Sequence, residues 1–394
     1  MILRQNQMSI YLNNAATTYP KPPTVLAAMA QSLAQPPREA GRSSGMDDVA
    51  AACRREAALL FEIADERHVV LTPSATHAIN LVIQGLLAPG YCPRPAPVHV
   101  ITTVLEHNSV LRPLEHLRQR GWIDVSWLRP GLDGCVHAET VAAALRESTL
   151  LVAVSQVSNV TGWIQPVEEI AAVAAASGVP FLIDASQGGG AVDLCYRDLP
   201  GRVFLAVAGH KGLFGPMGTG LLVVPDGSCP QTLVGGTGVH SESLLHPDRL
   251  PVRHEAGTPN LPGIAGLIAG LQFVRTEGVD RLGRQRSRLV QRLRRGLARL
   301  PEVHMTPLPQ GDGRAGIVSF TLAGWKAADA GFALSQSFGI EIRAGLHCAP
   351  LAHRELATAP EGNIRVGLAA FNNEEHVDEL VAAVQSLVEV PCAV

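Results

Sequence analysis

The chain has 394 residues and a formal charge of −3, from 32 Lys and Arg against 35 Asp and Glu; it is long enough for two domains and a large core and has no general attraction to nucleic acid. Met1 to Ile10 lacks a long apolar core and a cleavage pattern, and no apolar run reaches the ~18 residues of a membrane span, so a cytoplasmic protein with no membrane segment is expected. The seven cysteines (Cys53, Cys92, Cys135, Cys195, Cys229, Cys348, Cys392) are odd in number and scattered, with no C-x-x-C pair, which argues against a disulfide framework and against a metal site.

In chain order, Asn13-Asn14-Ala15-Ala16-Thr17-Thr18-Tyr19-Pro20 is a small-residue polar loop ahead of a helix pattern from Thr24 to Ala34; a capped turn has the same composition. A second helix pattern, Asp47 to Ile63, carries Val49, Ala52, Ala57 and Leu60 on one face. The short strand Val69-Val70-Leu71 leads through Thr72-Pro73-Ser74-Ala75-Thr76 into a helix from His77 to Leu87. Such a loop offers unpaired N–H groups and a positive dipole end to a phosphate, although plain helix caps look alike. The strand Val98 to Val104 ends at Glu106-His107-Asn108-Ser109, which opens a helix to Arg120. The strand Leu150 to Val154 runs into Ser155-Gln156-Val157-Ser158-Asn159. An alanine-rich helix, Pro166 to Ser177, then leads to the apolar run Val179 to Ile183, closed by Asp184 with Gln187 three residues on. Alternation of strand and helix patterns from about Val69 to Val224 implies crossover units and a mainly parallel sheet with helices on both faces. The marked polar residues fall at strand C-terminal ends, where open α/β sheets bind ligands.

Between the apolar runs Val203 to Val207 and Leu221 to Val224 lies Ala208-Gly209-His210-Lys211-Gly212-Leu213-Phe214-Gly215. A lysine held between two buried strands is costly to desolvate unless neutralised or paired, and a Schiff base is one chemical solution. The glycines do not fit the spacing of a nucleotide loop. A lysine aldimine together with an aspartate for the ring nitrogen is the pairing that pyridoxal phosphate requires. On Asp184-Ala185-Ser186-Gln187 and Gly209-His210-Lys211 the chain resembles the class V aminotransferase and cysteine desulfurase superfamily.

The resemblance implies a fold-type I α/β enzyme with pyridoxal 5'-phosphate on Lys211. Asp184 would face the ring nitrogen, and His107 would stack on the ring and move protons. Ala75, Thr76, Gln187 and His210 would help hold the cofactor. Asn159 would lie near its phenolic oxygen and the substrate carboxylate, and Asn14, in the loop at the site's mouth, would help bind the substrate.

Further on, Gly235-Gly236-Thr237-Gly238 fails dinucleotide-loop spacing, and His254-Glu255-Ala256-Gly257-Thr258-Pro259-Asn260 precedes a helix from Gly263 to Val274. The resemblance implies that Thr258 reaches the phosphate of a neighbouring subunit, hence a homodimer with shared sites. Asp280 to Leu300 forms a helix with eight arginines from Arg281 to Arg299 and no aromatic residue, which reads as a solvated face and not a nucleic-acid surface. The strand Ile317 to Leu322, the helix Ala327 to Phe338 and the strand Ile340 to Ile342 would build a smaller domain. Next comes Arg343-Ala344-Gly345-Leu346-His347-Cys348-Ala349-Pro350. A cysteine beside a histidine and near an arginine is in surroundings that favour a nucleophilic thiolate, and the segment resembles the catalytic loop of group II cysteine desulfurases. Arg365, in Asn363-Ile364-Arg365-Val366-Gly367 before the last helix from Glu374 to Val388, matches the family arginine that grips the substrate α-carboxylate, a planar task suited to guanidinium. Arg343 is a second candidate there.

Three departures from the family pattern stand out: Ala208 where many relatives carry a hydroxyl, Met217 after Gly215-Pro216, and Leu346 where group II enzymes often carry a second histidine. The expected division is a large cofactor domain over residues 17–265 and a small domain over 1–16 and 266–394. The resulting reading is a cysteine desulfurase that turns L-cysteine into L-alanine and leaves a persulfide on Cys348 for a sulfur acceptor protein. A selenocysteine lyase acting on L-selenocysteine, an aminotransferase or another β-eliminating lyase of the same fold remains open, as does a non-enzymatic scaffold.

Overall fold

The computed structural model describes residues 9–36, 48–91, 97–225, 229–308 and 313–389; Asp47, Cys92 and Cys392, and Met1 to Met8, lie outside them. The elements in order are β1 (Ile10–Tyr11), α1 (Pro23–Leu33), α2 (Val49–Phe61), β2 (Val69–Thr72), α3 (Ala75–Leu87), β3 (Val98–Thr103), α4 (Asn108–Gln119), β4 (Ile123–Leu128), α5 (Ala138–Ala144), β5 (Thr149–Ser155), α6 (Val167–Ala176), β6 (Phe181–Asp184), β7 (Val203–Ala208) and β8 (Gly220–Val223). They continue with α7 (Leu261–Glu277), α8 (Val279–Leu297), β9 (Val303–Met305), β10 (Ile317–Leu322), α9 (Ala327–Phe338), β11 (Ile340–Glu341), β12 (Arg343–Gly345), α10 (Pro350–Glu355), β13 (Asn363–Gly367) and α11 (Glu374–Glu389).

The first eight strands, β1 apart, form a seven-stranded sheet in the order β2-β8-β7-β6-β5-β3-β4. All its strands run parallel except β8, which is antiparallel to both neighbours. The Gly209 to Thr219 connection is too short for a crossover helix, so β8 can only return beside β7 in the opposite sense. Helices cover both faces. Residues of α2, α5, α6 and α7 close one side and those of α3 and α4 the other, so a central strand such as β7 (VFLAVA) is buried at every position and reads as a continuous apolar run.

A second, four-stranded antiparallel sheet, β12-β13-β10-β9, packs on α8, α9 and α11 around Val290, Leu293, Phe320 and Val384. Leu12 joins this core from the N-terminal end of the chain, and β1 pairs with β11 in a small sheet of its own. The strand expected at Ile340 to Ile342 is therefore β11, outside the four-stranded sheet. The sequence reading also passed over β4, β9 and α5. β4 is an edge strand bonded only to β3 and largely half-exposed, and α5 is a short alanine-rich helix. Gly278, at φ 79°, separates α7 from α8; α7 extends beyond its expected segment at both ends, whereas α8 starts one residue earlier than expected and ends at Leu297, short of Leu300.

Candidate active site

Four strand ends of the large sheet and two strands of the small sheet converge on a cavity of about 220 Å³. Lys211 stands in its wall, in the turn that follows β7. The Gly209 N–H donates to the Thr219 carbonyl at 3.0 Å and the Gly215 N–H to the Gly209 carbonyl at 2.8 Å, so the turn closes on itself. A side chain at Gly212 would run into the Gly189 carbonyl; the lysine turn and the segment after Asp184 approach backbone to backbone, which only glycine allows. The N-terminal loop braces the same turn. The Thr18 N–H and Thr17 Oγ1 (3.1 Å each) and Lys21 Nζ (2.8 Å) all donate to the His210 carbonyl. Lys211 is half-buried as a residue, yet its ammonium is walled in, and this burial lowers its pKa to about 8 against the raising effect of Asp184. Lys21 is likewise lowered to about 8 by burial.

Asp184 ends β6, buried at the cavity floor. Its Oδ1 accepts the Ser186 N–H at 2.9 Å and its Oδ2 the Ser109 hydroxyl at 3.4 Å. His107 caps α4: its Nδ1 accepts the Ser109 N–H at 3.0 Å, which leaves the ring proton on Nε2. Burial, and then the Lys211 charge, lowers the His107 pKa to about 4, so the imidazole is neutral at pH 7. Gln187 lines the cavity and donates through Nε2 to the Ala15 carbonyl at 2.8 Å. Opposite, Ser74, Ala75 and Thr76 open α3. Ser74 Oγ takes the His77 N–H at 3.1 Å, and the first-turn N–H groups of Ala75 and Thr76 have no partner within the helix. His210 and Ala208 face this end of the cavity, and the His210 Nδ1 is buried without a partner. Gly220 of β8 passes so close that a Cβ would lie 2.8 Å from the Ser74 carbonyl carbon and 3.0 Å from the Ala75 nitrogen.

The small sheet supplies the remaining wall. Arg343 and Arg365 are register partners on β12 and β13, and both line the cavity. Arg365 is almost wholly buried; its Nη1 donates to the Asn159 carbonyl at 2.8 Å, while Nε and Nη2 have no partner. Burial, with Arg343 adding to it, pushes its pKa down to about 9, which leaves it cationic at neutral pH. Asn159 donates through Nδ2 to the His347 carbonyl at 2.8 Å and has its Oδ1 unpaired. His347 and Cys348 both hold left-handed backbone angles, φ 48° and 59°, uncommon for residues with a Cβ. His347 Nε2 donates to Asn363 Oδ1 at 2.8 Å, and burial drops its pKa to about 3. The imidazole is thus neutral, and the cation beside the thiol is Arg343, whose Nη2 lies 3.4 Å from Cys348 Sγ. Cys348 itself is half-buried and is not among the residues lining the cavity.

Two expected residues lie elsewhere. Asn14 is buried beside the cavity with its amide engaged: Nδ2 donates to the Gly367 carbonyl (2.9 Å) and to Asn372 Oδ1 (3.1 Å), and Oδ1 accepts the Tyr19 N–H (3.0 Å). Thr258 lines a separate, larger cleft of about 630 Å³ beside Gly218 to Gly220. Among the described residues no group of three or more His, Cys, Asp or Glu could hold a metal ion.

Sequence reasoning passed over Ser109, Ser155 and Glu106. Glu106 is fully buried, accepts hydrogen bonds from Thr103 Oγ1 (2.6 Å), Ser155 N–H (3.1 Å) and Ser155 Oγ (2.5 Å), and is pushed up to about 7 by burial. The signal was present as hydroxyl residues at the ends of β3 and β5, but no helix or strand periodicity marks them.

The family model for class V aminotransferases matches residues 10–380. A probable cysteine desulfurase from Methanothermobacter thermautotrophicus is 31% identical over 381 residues, 94% of this chain and 92% of that protein. A cysteine desulfurase from Salmonella typhimurium is 32% identical over 338 residues, 84% of this chain and 80% of that one. Among solved structures, a cysteine desulfurase from Thermococcus onnurineus superposes with a TM-score of 0.86 at 29% identity, covering 97% of this chain and 95% of that one; one from Escherichia coli gives 0.86 at 27%, covering 98% and 96%. With the lysine turn, the strand-end aspartate and the two-sheet architecture all in place, the chain belongs to the class V aminotransferase family.

Proposed function

We propose that the protein is a pyridoxal phosphate-dependent cysteine desulfurase that converts L-cysteine to L-alanine and carries the sulfur on Cys348. The observation that carries this reading is the cavity itself: a walled-in lysine, a buried aspartate, a helix N-terminus and a buried guanidinium with two unpaired nitrogens face one space. These residues fit the cofactor. The open N–H groups of Ala75 and Thr76 suit its phosphate, Asp184 suits a protonated ring nitrogen, and Lys211 suits its aldehyde. When bound, the cofactor supplies an electron sink for the substrate's α-carbon.

The chain's own groups do the rest. Arg365 presents Nε and Nη2 to the α-carboxylate, a charge-assisted fork. Lys211, lowered toward neutrality, exchanges a proton at its Nζ. His107, neutral and protonated at Nε2, presents an N–H donor to the cavity. Arg343 holds the Cys348 sulfur through its Nη2, at 3.4 Å. In the net reaction the substrate C–S bond breaks, an S–S bond forms on Cys348, and the proton of the enzyme thiol balances alanine.

Because Cys348 does not line the cavity, a pyridoxal lyase that does not use it is the second reading. Incubating the purified protein with L-cysteine and following alanine together with the mass of the Cys348 peptide decides between them. One added sulfur atom on that peptide, with alanine, is expected; sulfide with pyruvate and ammonia, the products of β-elimination from cysteine, and no persulfide there select the lyase.

The same reading includes a homodimer in which Thr258 serves the partner's cofactor, since within its own chain Thr258 faces a different cleft. It also includes an acceptor protein for the sulfur. We place the division between large and small units at Gly278 in preference to residue 265, because Ile264, Leu267 and Leu271 of α7 pack in the core of the large sheet.

A further inference from the structure

His107, Ser109 and Asp184 form a polar chain across the cavity floor. Ser109 is buried and lines the cavity. Its backbone N–H donates to His107 Nδ1 at 3.0 Å, so that nitrogen carries no proton to give, and the Ser109 hydroxyl shares its one lone pair when it turns there. Its Oγ lies 2.9 Å from the same Nδ1 and 3.4 Å from Asp184 Oδ2. Both neighbours accept and the hydroxyl has one proton, so it donates to one of them at a time. Asp184 is otherwise fixed only at Oδ1, by the Ser186 N–H.

From this geometry we propose that Ser109 is a positioning residue whose hydroxyl couples the Asp184 carboxylate to the His107 imidazole, setting the orientation of the two groups together. The proposal rests on the reading of the cavity as a pyridoxal phosphate site. Replacing the side chain by alanine keeps the backbone N–H and the helix cap, and removes only the shared proton. The coupling then has to fall, whereas a role in folding alone would leave it intact.

The test uses apoprotein labelled with ¹⁵N-histidine. Ser109→Ala is expected to shift the His107 Nδ1 resonance. Asp184→Asn is expected to shift that resonance in the Ser109 background and clearly less in the Ser109→Ala background, the signature of coupling in a double-mutant cycle. Titration with pyridoxal phosphate should show an affinity lower by about two- to ten-fold in Ser109→Ala, the range of one lost hydrogen bond. Ser109→Cys, close in shape and a weaker donor, should change each quantity in the same direction by less, and serves if the alanine variant folds poorly. An unmoved His107 resonance in both Ser109 variants, or an equal response to Asp184→Asn in the two backgrounds, overturns the proposal. Wild-type protein that binds no pyridoxal phosphate overturns the reading of the site instead, since the resonances are measured without cofactor.

Discussion

The floor and the far wall of the cavity are built on opposite terms. On the floor, supplied by the large sheet, the carboxylates are satisfied by the protein. Asp184 is held by Ser186 and Ser109, and Glu106 by Thr103 and Ser155. On the wall supplied by the small sheet and the Asn159 loop, buried polar atoms stand without partners: Arg365 Nε and Nη2, Asn159 Oδ1, His347 Nδ1 and Asn363 Nδ2. An unpaired buried polar group costs free energy that a ligand can recover. Under the proposed function, the difference separates a preorganised cofactor bed from a substrate grip that is complete only when an anion fills it.

The comparison can be broken most severely at Lys211. Lys211→Ala should abolish turnover of L-cysteine while the phosphate end, held by α3, still retains some cofactor after gel filtration. Undiminished turnover in this variant would end the whole functional reading. Cys348→Ala comes next: adding L-cysteine should still change the cofactor spectrum, with no persulfide formed and no alanine released. Alanine release at the wild-type rate would show that the wall's thiol is dispensable.

Arg365→Ala removes the unfilled guanidinium. Losing one partner of a buried charged contact costs about 2–5 kcal/mol, so kcat/KM for L-cysteine should fall by at least tens of fold; a change within a factor of two would place the carboxylate elsewhere.

The smallest effect probes the floor. The Glu106 carboxyl, raised by burial from 4.5 to about 7, binds its proton more tightly when folded than when unfolded. It therefore contributes stability below pH 4.5 that is lost as pH rises through about 7, on the order of 3 kcal/mol. Glu106→Gln should flatten that part of the pH dependence of the apoprotein's unfolding free energy. An unchanged slope between pH 5 and 7 would show that Glu106 is ionised when folded.

The large sheet was legible because its strands are short apolar runs ended by turn residues, and the site residues on it inherit their positions from strand C-terminal ends. Asp184, His107 and Lys211 were found this way. The edge strand β4 was not, since half-exposure replaces its apolar run with mixed residues. Periodicity also says nothing about tautomers or hydrogen-bond direction. His347 adjoins Cys348 in sequence, yet its ring turns to Asn363, and the thiol's charged neighbour is Arg343, five residues earlier. Asn14 illustrates the same limit: adjacency to the site was readable, whereas the engagement of its amide by Gly367, Asn372 and Tyr19 depends on strands brought together only by folding.

The N-terminal loop ties the lysine turn to the far end of the chain. Residues 17–21 hold the His210 carbonyl, while Asn14 reaches Gly367 and β1 pairs with β11. Contacts spanning such sequence distances form late, because their loop-closure entropy must be met first. During synthesis on the ribosome Asn14 and β1 therefore have no partners until residues 340–367 emerge, whereas Thr17, Thr18 and Lys21 need only His210. The brace on the lysine turn thus precedes the wall that carries Arg343 and Arg365, and the pocket takes its final shape only when that wall docks.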